Sequence, residues 1–343
     1  MIVIDSYPLA VIMCVITMLC WGSWANTQKL ASKEWRFQLF YWDYSIGVLL
    51  LTLILALTMG SIGPTGRSFF ADLSQAGGKY VGLALLGGVI FNVANILLVA
   101  AIDIAGLAVA FPVGIGIALV WGVIETYIKT SAQKAIASPA ILFLGVGVVA
   151  VAIIVNAIAY KKLPSAGQKT TGKGLVISVV AGVLMGRFFP YVASAIAKLS
   201  EIDSPAEAGK LTPYTALVFF AIGLFLSSFV LNSIVMARPF VGDPVPFGDY
   251  FRKGNPRLHT IGVVGGMIWS VGMSFSILAG DTAGYAIAYG LGQGATMVAA
   301  GWGVFIWREF RGAPAGTNKL LGLMFACFIV GLALIVYANV AAK

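Results

Sequence analysis

The chain has 343 residues, 59% of them hydrophobic and only 10% charged, with a mean hydropathy of +0.95 and a formal net charge of +9. Soluble domains carry about 25% charged residues, and folded chains need polar atoms over their surface, so this composition excludes a water-soluble globular protein and calls for lipid as solvent. The positive balance does not indicate nucleic acid, because Lys and Arg fall in short segments between apolar runs, the pattern of a membrane protein with basic cytoplasmic loops.

A hydrocarbon core of about 30 Å takes roughly 20 apolar residues per helix. Runs of that length cover 8–30, 38–60, 79–101, 104–128, 138–160, 174–198, 213–236, 258–280, 282–307 and 318–340. Their length predicts ten helices, since barrel strands would appear as alternating segments of about ten residues. The first run has no basic segment before it and reads as a retained helix, not a cleaved signal peptide. It carries Trp21, Ser23, Trp24 and Asn26. Asp43 lies a few residues inside the second run, in FYWDYSIG. Two roles fit it: a proton-binding acid, or an interfacial partner for loop cations beside the belt aromatics Trp42 and Tyr44.

The third run holds Asn92 and Asn95, and the fourth holds Glu125 near its outer end. Arg187 and Pro190 lie near the centre of the sixth, in LMGRFFPYVAS. An ionisable residue at that depth is costly and points to function. The Arg187 guanidinium can hold a solute carbonyl, hydroxyl or carboxylate through forked hydrogen bonds, or pair with a carboxylate of the bundle. Pro190 is expected to break the helix and free backbone carbonyls. His259 opens the eighth run, where an interfacial position is expected, and Trp269 and Ser270 follow. Tyr289 and Gln293 lie in the ninth. The glycine run Gly290–Gly294 there has no preceding strand and no Lys-Ser/Thr, so it is not a nucleotide loop. Asp103 and Asp281 fall in short turns and are expected to cap the helices that follow. Cys14, Cys20 and Cys327 sit in apolar runs without metal-ligand or disulfide spacing. No cofactor or metal is expected.

An internal repeat organises the chain. Residues 86–116 align with 264–294, placing Gly87 on Gly265, Gly88 on Gly266, Asp103 on Asp281, Gly106 on Gly284 and Gly114 on Gly292. After a three-residue insertion, Trp121-Gly122-Val123 meets Trp302-Gly303-Val304. The predicted architecture is therefore an all-α integral membrane protein of two inverted five-helix halves, 1–162 and 172–343. Inverted repeats of this kind are a mark of secondary transporters, with the solute site near the midplane between the halves. Trp21, Ser23, Asn26, Asn92, Asn95, Trp269, Ser270, Tyr289 and Gln293, with Arg187, are the candidate solute contacts. Interhelical hydrogen bonding is the competing role for each neutral group. Asp43 and Glu125 are the candidate proton-coupling acids.

The side holding Lys29, Lys33, Arg36, Lys161, Lys162, Lys169, Lys173, Arg238, Arg252, Lys253, Arg257, Arg308, Arg311 and Lys319 is richer in cations than the other. It is expected to face the cytoplasm of a plasma (inner) membrane, with both termini outside.

Cys20-Trp21-Gly22-Ser23-Trp24, Tyr41-Trp42-Asp43-Tyr44 and the stretch from Gly87 to Glu125 resemble the drug/metabolite transporter superfamily, and within it the glucose/ribose porter and ureide permease branch. The resemblance implies ten helices in inverted halves that rock about a central cavity, and it places a role in proton coupling on Asp43. Plant ureide permeases carry a long central loop where this chain has only about 161–173, which favours a compact bacterial-type sugar porter. The expected activity is thus proton-coupled uptake of a small polar solute such as a monosaccharide. Permeation of ureides, nucleobases or nucleosides, or export of drugs or metabolites, are the alternatives. A single His and no metal spacing argue against an enzyme, and an inverted repeat within one chain argues against a ring-built channel.

Overall fold

The computed structural model describes residues 1–130, 136–163 and 172–340. Among these residues the regular structure is helical apart from one backbone bridge between Ile196 and Leu211. In chain order the helices are α1 (Tyr7–Ser23), α2 (Ala25–Ala31), α3 (Phe37–Leu57), α4 (Phe69–Gln75), α5 (Gly78–Ala105), α6 (Leu107–Thr130) and α7 (Pro139–Lys161). After the central linker come α8 (Gly172–Ser194), α9 (Pro213–Ala237), α10 (Asp249–Arg252), α11 (Pro256–Ala283), α12 (Tyr285–Gly292), α13 (Ala295–Gly301) and α14 (Thr317–Tyr337). Proline opens α7, α9 and α11, where its fixed φ suits a first turn and its missing N–H costs nothing. Thr212 caps α9 through the Thr215 amide, and Asn255 caps α11 through the Leu258 amide at 3.0 Å.

Nine helices among the described residues are long and apolar enough to cross a bilayer, counting α1 and α2 as one span interrupted at Trp24. The run 282–307, expected as one helix, is instead broken. Gly284 separates α11 from α12, and at Gln293-Gly294 the hydrogen bonds tighten to Leu291 O–Gly294 N and Gly294 O–Met297 N. The chain then widens into a π-turn over Trp302–Ile306, closed by the Trp307 amide on the Trp302 carbonyl. Pro190 does not break its helix: α8 runs through it, and Ser194 Oγ donates to the Pro190 carbonyl at 2.6 Å. Asp103 and Asp281 are not caps either. Both lie in the last turn of the preceding helix, and the following helices begin beyond Gly106 and Gly284.

Those two glycines are equivalent in backbone as well as in sequence. α5 and α11 each have 28 residues and end at a glycine of φ 79° and 90° respectively, a region costly for any residue with a Cβ. Gly88 and Gly266, also matched in the sequence, seat α5 on α9 and α11 on α3. A Cβ there would stand 2.7 Å from the Leu224 amide and 2.8 Å from the Tyr44 carbonyl carbon.

One face of the bundle gathers the start of α1 and the end of α14, where Tyr7 Oη donates to the Val336 carbonyl at 2.5 Å. It is called the terminal face here. A clamp closes it. Arg67 Nε meets Asp72 Oδ1 at 2.9 Å, while its terminal nitrogens donate to the carbonyls of Ile202 and Lys210. Asp72, fully buried, also accepts from Gln75 and from the Thr212 amide at 2.7 Å. Segments from before and after the central linker are thereby fastened together. The opposite face carries the cation-rich loops. Lys169 of that set lies outside the described residues.

Candidate functional site

A cavity of about 470 Å³ lies among α1, α2, α5, α6, α7, α8, α11 and the broken α12–α13 segment. Its inner end is aromatic. Trp269 stacks on Trp21 with ring centres 5.9 Å apart and planes 13° from parallel, and leans on Phe91 at 4.4 Å. Phe188, Met185, Leu98 and Ile115 extend the apolar wall. The mouth reaches the face opposite the termini. There Lys29 Nζ meets Glu309 Oε1 at 2.7 Å and lies over the Trp307 ring, while Tyr160 Oη donates to Glu309 Oε2 at 3.0 Å.

Away from the mouth, the cavity's polar lining includes several carboxamides. Gln293, held at the tightened turn between α12 and α13, is buried and makes no side-chain hydrogen bond among the described residues. Asn95 Nδ2 donates to Tyr41 Oη at 3.3 Å, and its carbonyl has no partner among the described residues. Asn156 of α7 lines the cavity with a buried Oδ1 that no described group satisfies. A buried amide oxygen left without a partner is costly, as at Asn156 Oδ1, and the open positions of Gln293 and Asn95 line the cavity, where an occupant can bond them. Asn26 differs, since its amide is committed to the Ser23 carbonyl and to Trp307 Nε1 at 2.6 Å. Among the described residues the charged lining is Lys29 and Glu309, which neutralise each other.

Five of the predicted contacts meet here: Trp21, Asn26, Asn95, Trp269 and Gln293. Ser23 stands just behind, accepting from Trp302 Nε1 at 2.9 Å. The others lie elsewhere. Asn92 is fully buried between α3, α5 and α9, accepting from Tyr41 Oη and donating to Ser227 Oγ, Ser228 Oγ and the Leu224 carbonyl. Ser270 faces the Val48 carbonyl, and Tyr289 is spent on the carbonyls of Ala118 and Met185. Arg187 is not in the cavity. It projects from the outer surface of α8 with its side chain 45% exposed, and its Nε lies 3.4 Å from Glu125. Glu125 itself accepts from Lys129 and Trp121. Neither Arg187 nor Glu125 lines this cavity, because α8 turns the Arg187 position outward.

Asp43 is buried beside α11 and outside the cavity. Its carboxylate accepts from Trp35 Nε1 at 3.2 Å, pairs with His259 Nδ1 at 2.9 Å and receives Tyr250 Oη at 2.5 Å. Burial, then the bonded Asp43 carboxylate, pushes the Tyr250 phenol up, so it stays a protonated donor. His259 is thus more than an interfacial residue: it joins the start of α11 to α3. Sequence reasoning missed Asn156, Lys29, Glu309, Tyr160, Trp302 and Trp307 as cavity residues. Asn156, a lone amide in an apolar run, was detectable by the rule that assigned Asn92 and Asn95. Of the rest, Lys29, Tyr160 and Trp307 fall at the ends of apolar runs, Trp302 inside one and Glu309 in the loop that follows.

A ureide permease family model matches residues 40–168 and 161–338, two segments that meet at the central linker. Ureide permease 1 of Arabidopsis thaliana is 26% identical over 394 residues, covering 99% of this chain and 99% of that protein. Ureide permease 4 of the same plant is 26% identical over 407 residues with the same coverage. Transmembrane protein 144 homolog B of Dictyostelium discoideum is 24% identical over 169 residues, 48% of this chain and 40% of that protein. A solved crystal structure of a protein aligns with a TM-score of 0.59 at 13% identity, over 97% of this chain and 98% of that one, a likeness of fold. With both halves of the chain matched, with relatives named as permeases aligned from end to end, and with apolar helices around an internal cavity, this integral multi-pass membrane protein belongs to the ureide permease family.

Proposed function

We propose that the protein is a secondary carrier for a neutral ureide-type solute, a flat or compact molecule bearing –NH–CO–NH– groups. The observation that carries this is the set of three carboxamides with open hydrogen-bonding positions, Asn95, Asn156 and Gln293, around a cavity walled by Trp21, Trp269 and Phe91. A carboxamide offers one carbonyl and two N–H donors, which complements a urea group edge to edge, while indole faces stack on a planar heterocycle. The names of the relatives support the same solute class. A monosaccharide, the expectation from the short central linker, is the poorer fit.

Matched glycines and hinges in α5 and α11 support two inverted halves, 1–162 and 172–343, rocking about the cavity. With the cation-rich face in the cytoplasm, both termini are outside and the cavity opens inward, its outer side closed by the Arg67–Asp72 clamp. Proton coupling falls to Asp43 with His259. α11 links that pair to Trp269, so a change at one end can tilt the cavity wall at the other.

The test is a binding and counterflow assay on protein reconstituted in proteoliposomes, using allantoin, uracil, glucose and ribose. Saturable counterflow of allantoin that excess glucose and ribose leave intact is the expected outcome. Counterflow of a sugar with none of allantoin would reject the ureide assignment.

A further inference from the structure

The surface between α6 and α8 has a feature that solute transport does not use. The outward stripe of α8 is apolar, with Val176, Val179 and Val180 exposed, and Arg187 continues it. On α6, Trp121 and Ile128 are exposed beside it. In a membrane-spanning chain such a surface faces hydrocarbon, where an uncompensated guanidinium is costly. One buried carboxylate, Glu125, serves two cations. Lys129 Nζ binds it at 2.8 Å and lies 3.9 Å from the Tyr191 ring centre, whereas Arg187 reaches it only with Nε at 3.4 Å. The two terminal nitrogens of Arg187 have no partner among the described residues. The cluster therefore keeps one net positive charge, turned outward.

Its depth identifies the occupant. Lys129 is one residue from the end of α6, and Arg187 is seven residues before Ser194 at the end of α8. At 1.5 Å per residue that is about 10 Å below the helix end, within reach of a long side chain extending to the headgroup level. Trp121 and Tyr191 flank the cations as interfacial aromatics do. A guanidinium fork beside an ammonium matches phosphate oxygens.

We propose that the groove between α6 and α8, toward the terminal face, binds the phosphate of an anionic phospholipid through Arg187 and Lys129, with Glu125 as an internal carboxylate that competes with the phosphate for both cations. Because α6 precedes the central linker and α8 follows it, this lipid bridges the two parts of the chain.

The experiment is native mass spectrometry of the delipidated full chain titrated with phosphatidylglycerol or with phosphatidylcholine of the same acyl chains. Wild type is expected to retain phosphatidylglycerol in preference. Arg187→Gln with Lys129→Gln is expected to weaken that retention by about tenfold or more, as for loss of charge-assisted bonds. Glu125→Gln frees the cations and is expected to strengthen retention, an outcome that a merely misfolded variant would not give. Equal retention of the two lipids by wild type, or equal phosphatidylglycerol retention by wild type and the double variant, would overturn the proposal. So would full displacement of the lipid by millimolar inorganic phosphate, or a double variant that changes from oligomer to monomer with lipid retention intact, which would assign the surface to a second copy.

Discussion

Replacing Gln293 by Met separates solute binding from folding. The side chain keeps nearly the same length and volume, and volume-conserving core replacements cost less than about 1.5 kcal/mol. Gln293 makes no side-chain hydrogen bond among the described residues, and its backbone bonds at the α12–α13 turn survive the change. Stability is therefore expected to hold. A solute that uses the amide as both donor and acceptor loses two neutral hydrogen bonds and keeps desolvated partners, about 1.5–3 kcal/mol in total. At 1.4 kcal/mol per decade this raises the apparent KM for counterflow by about 10- to 150-fold. The assay is allantoin counterflow in proteoliposomes, paired with thermal unfolding of the same preparation. An unchanged KM in a variant of unchanged stability would refute the cavity as the solute site.

Asn92→Leu should do the reverse. It removes four hydrogen bonds between α3, α5 and α9, worth about 0.6 kcal/mol each within a bilayer, so the unfolding midpoint falls while KM stays within about twofold; calorimetry and counterflow together check it. Asp72→Asn leaves Arg67 facing a neutral amide in the buried clamp, and breaking such a pair costs up to about 3–5 kcal/mol. Hydrogen exchange over 202–212 should accelerate while α14 stays protected, and unchanged exchange would remove the clamp from its closing role. Asp43→Asn should abolish accumulation driven by an inward proton gradient yet spare counterflow at equal pH. Gradient-driven accumulation at the wild-type level in this variant would take Asp43 out of coupling.

Most helix positions were readable because bilayer thickness sets run length directly: 79–101 became Gly78–Ala105 and 213–236 became Pro213–Ala237. What run length cannot register is local winding, so the broken segment over 285–306 read as one helix. The site was half legible. Polar residues deep in apolar runs fall into two groups, those facing a cavity and those satisfying a neighbouring helix. Composition marks both alike, which is why Gln293 and Asn92 looked equivalent. Arg187 shows a related limit. Depth along a helix is visible in the sequence, but rotation about its axis is blurred where every face is apolar, and rotation decided that Arg187 points outward.

The three extra residues between Gly292 and Trp302 have a geometric consequence. A helix of 3.6 residues per turn advances 100° per residue, so three added residues carry whatever follows through about 300°, or 60° short of a full revolution. The tightened turn at Gln293-Gly294 and the π-turn at Trp302–Ile306 bracket this segment and change its pitch further. Trp121 and Trp302, paired in the sequence, occupy different settings: Trp121 lies at the outer surface, 41% exposed, and Trp302 lines the cavity and is tethered to Ser23. The cavity thus carries Trp302 and its Ser23 tether on one side with no matching contribution from Trp121 on the other, so its two sides offer a flat solute different contacts.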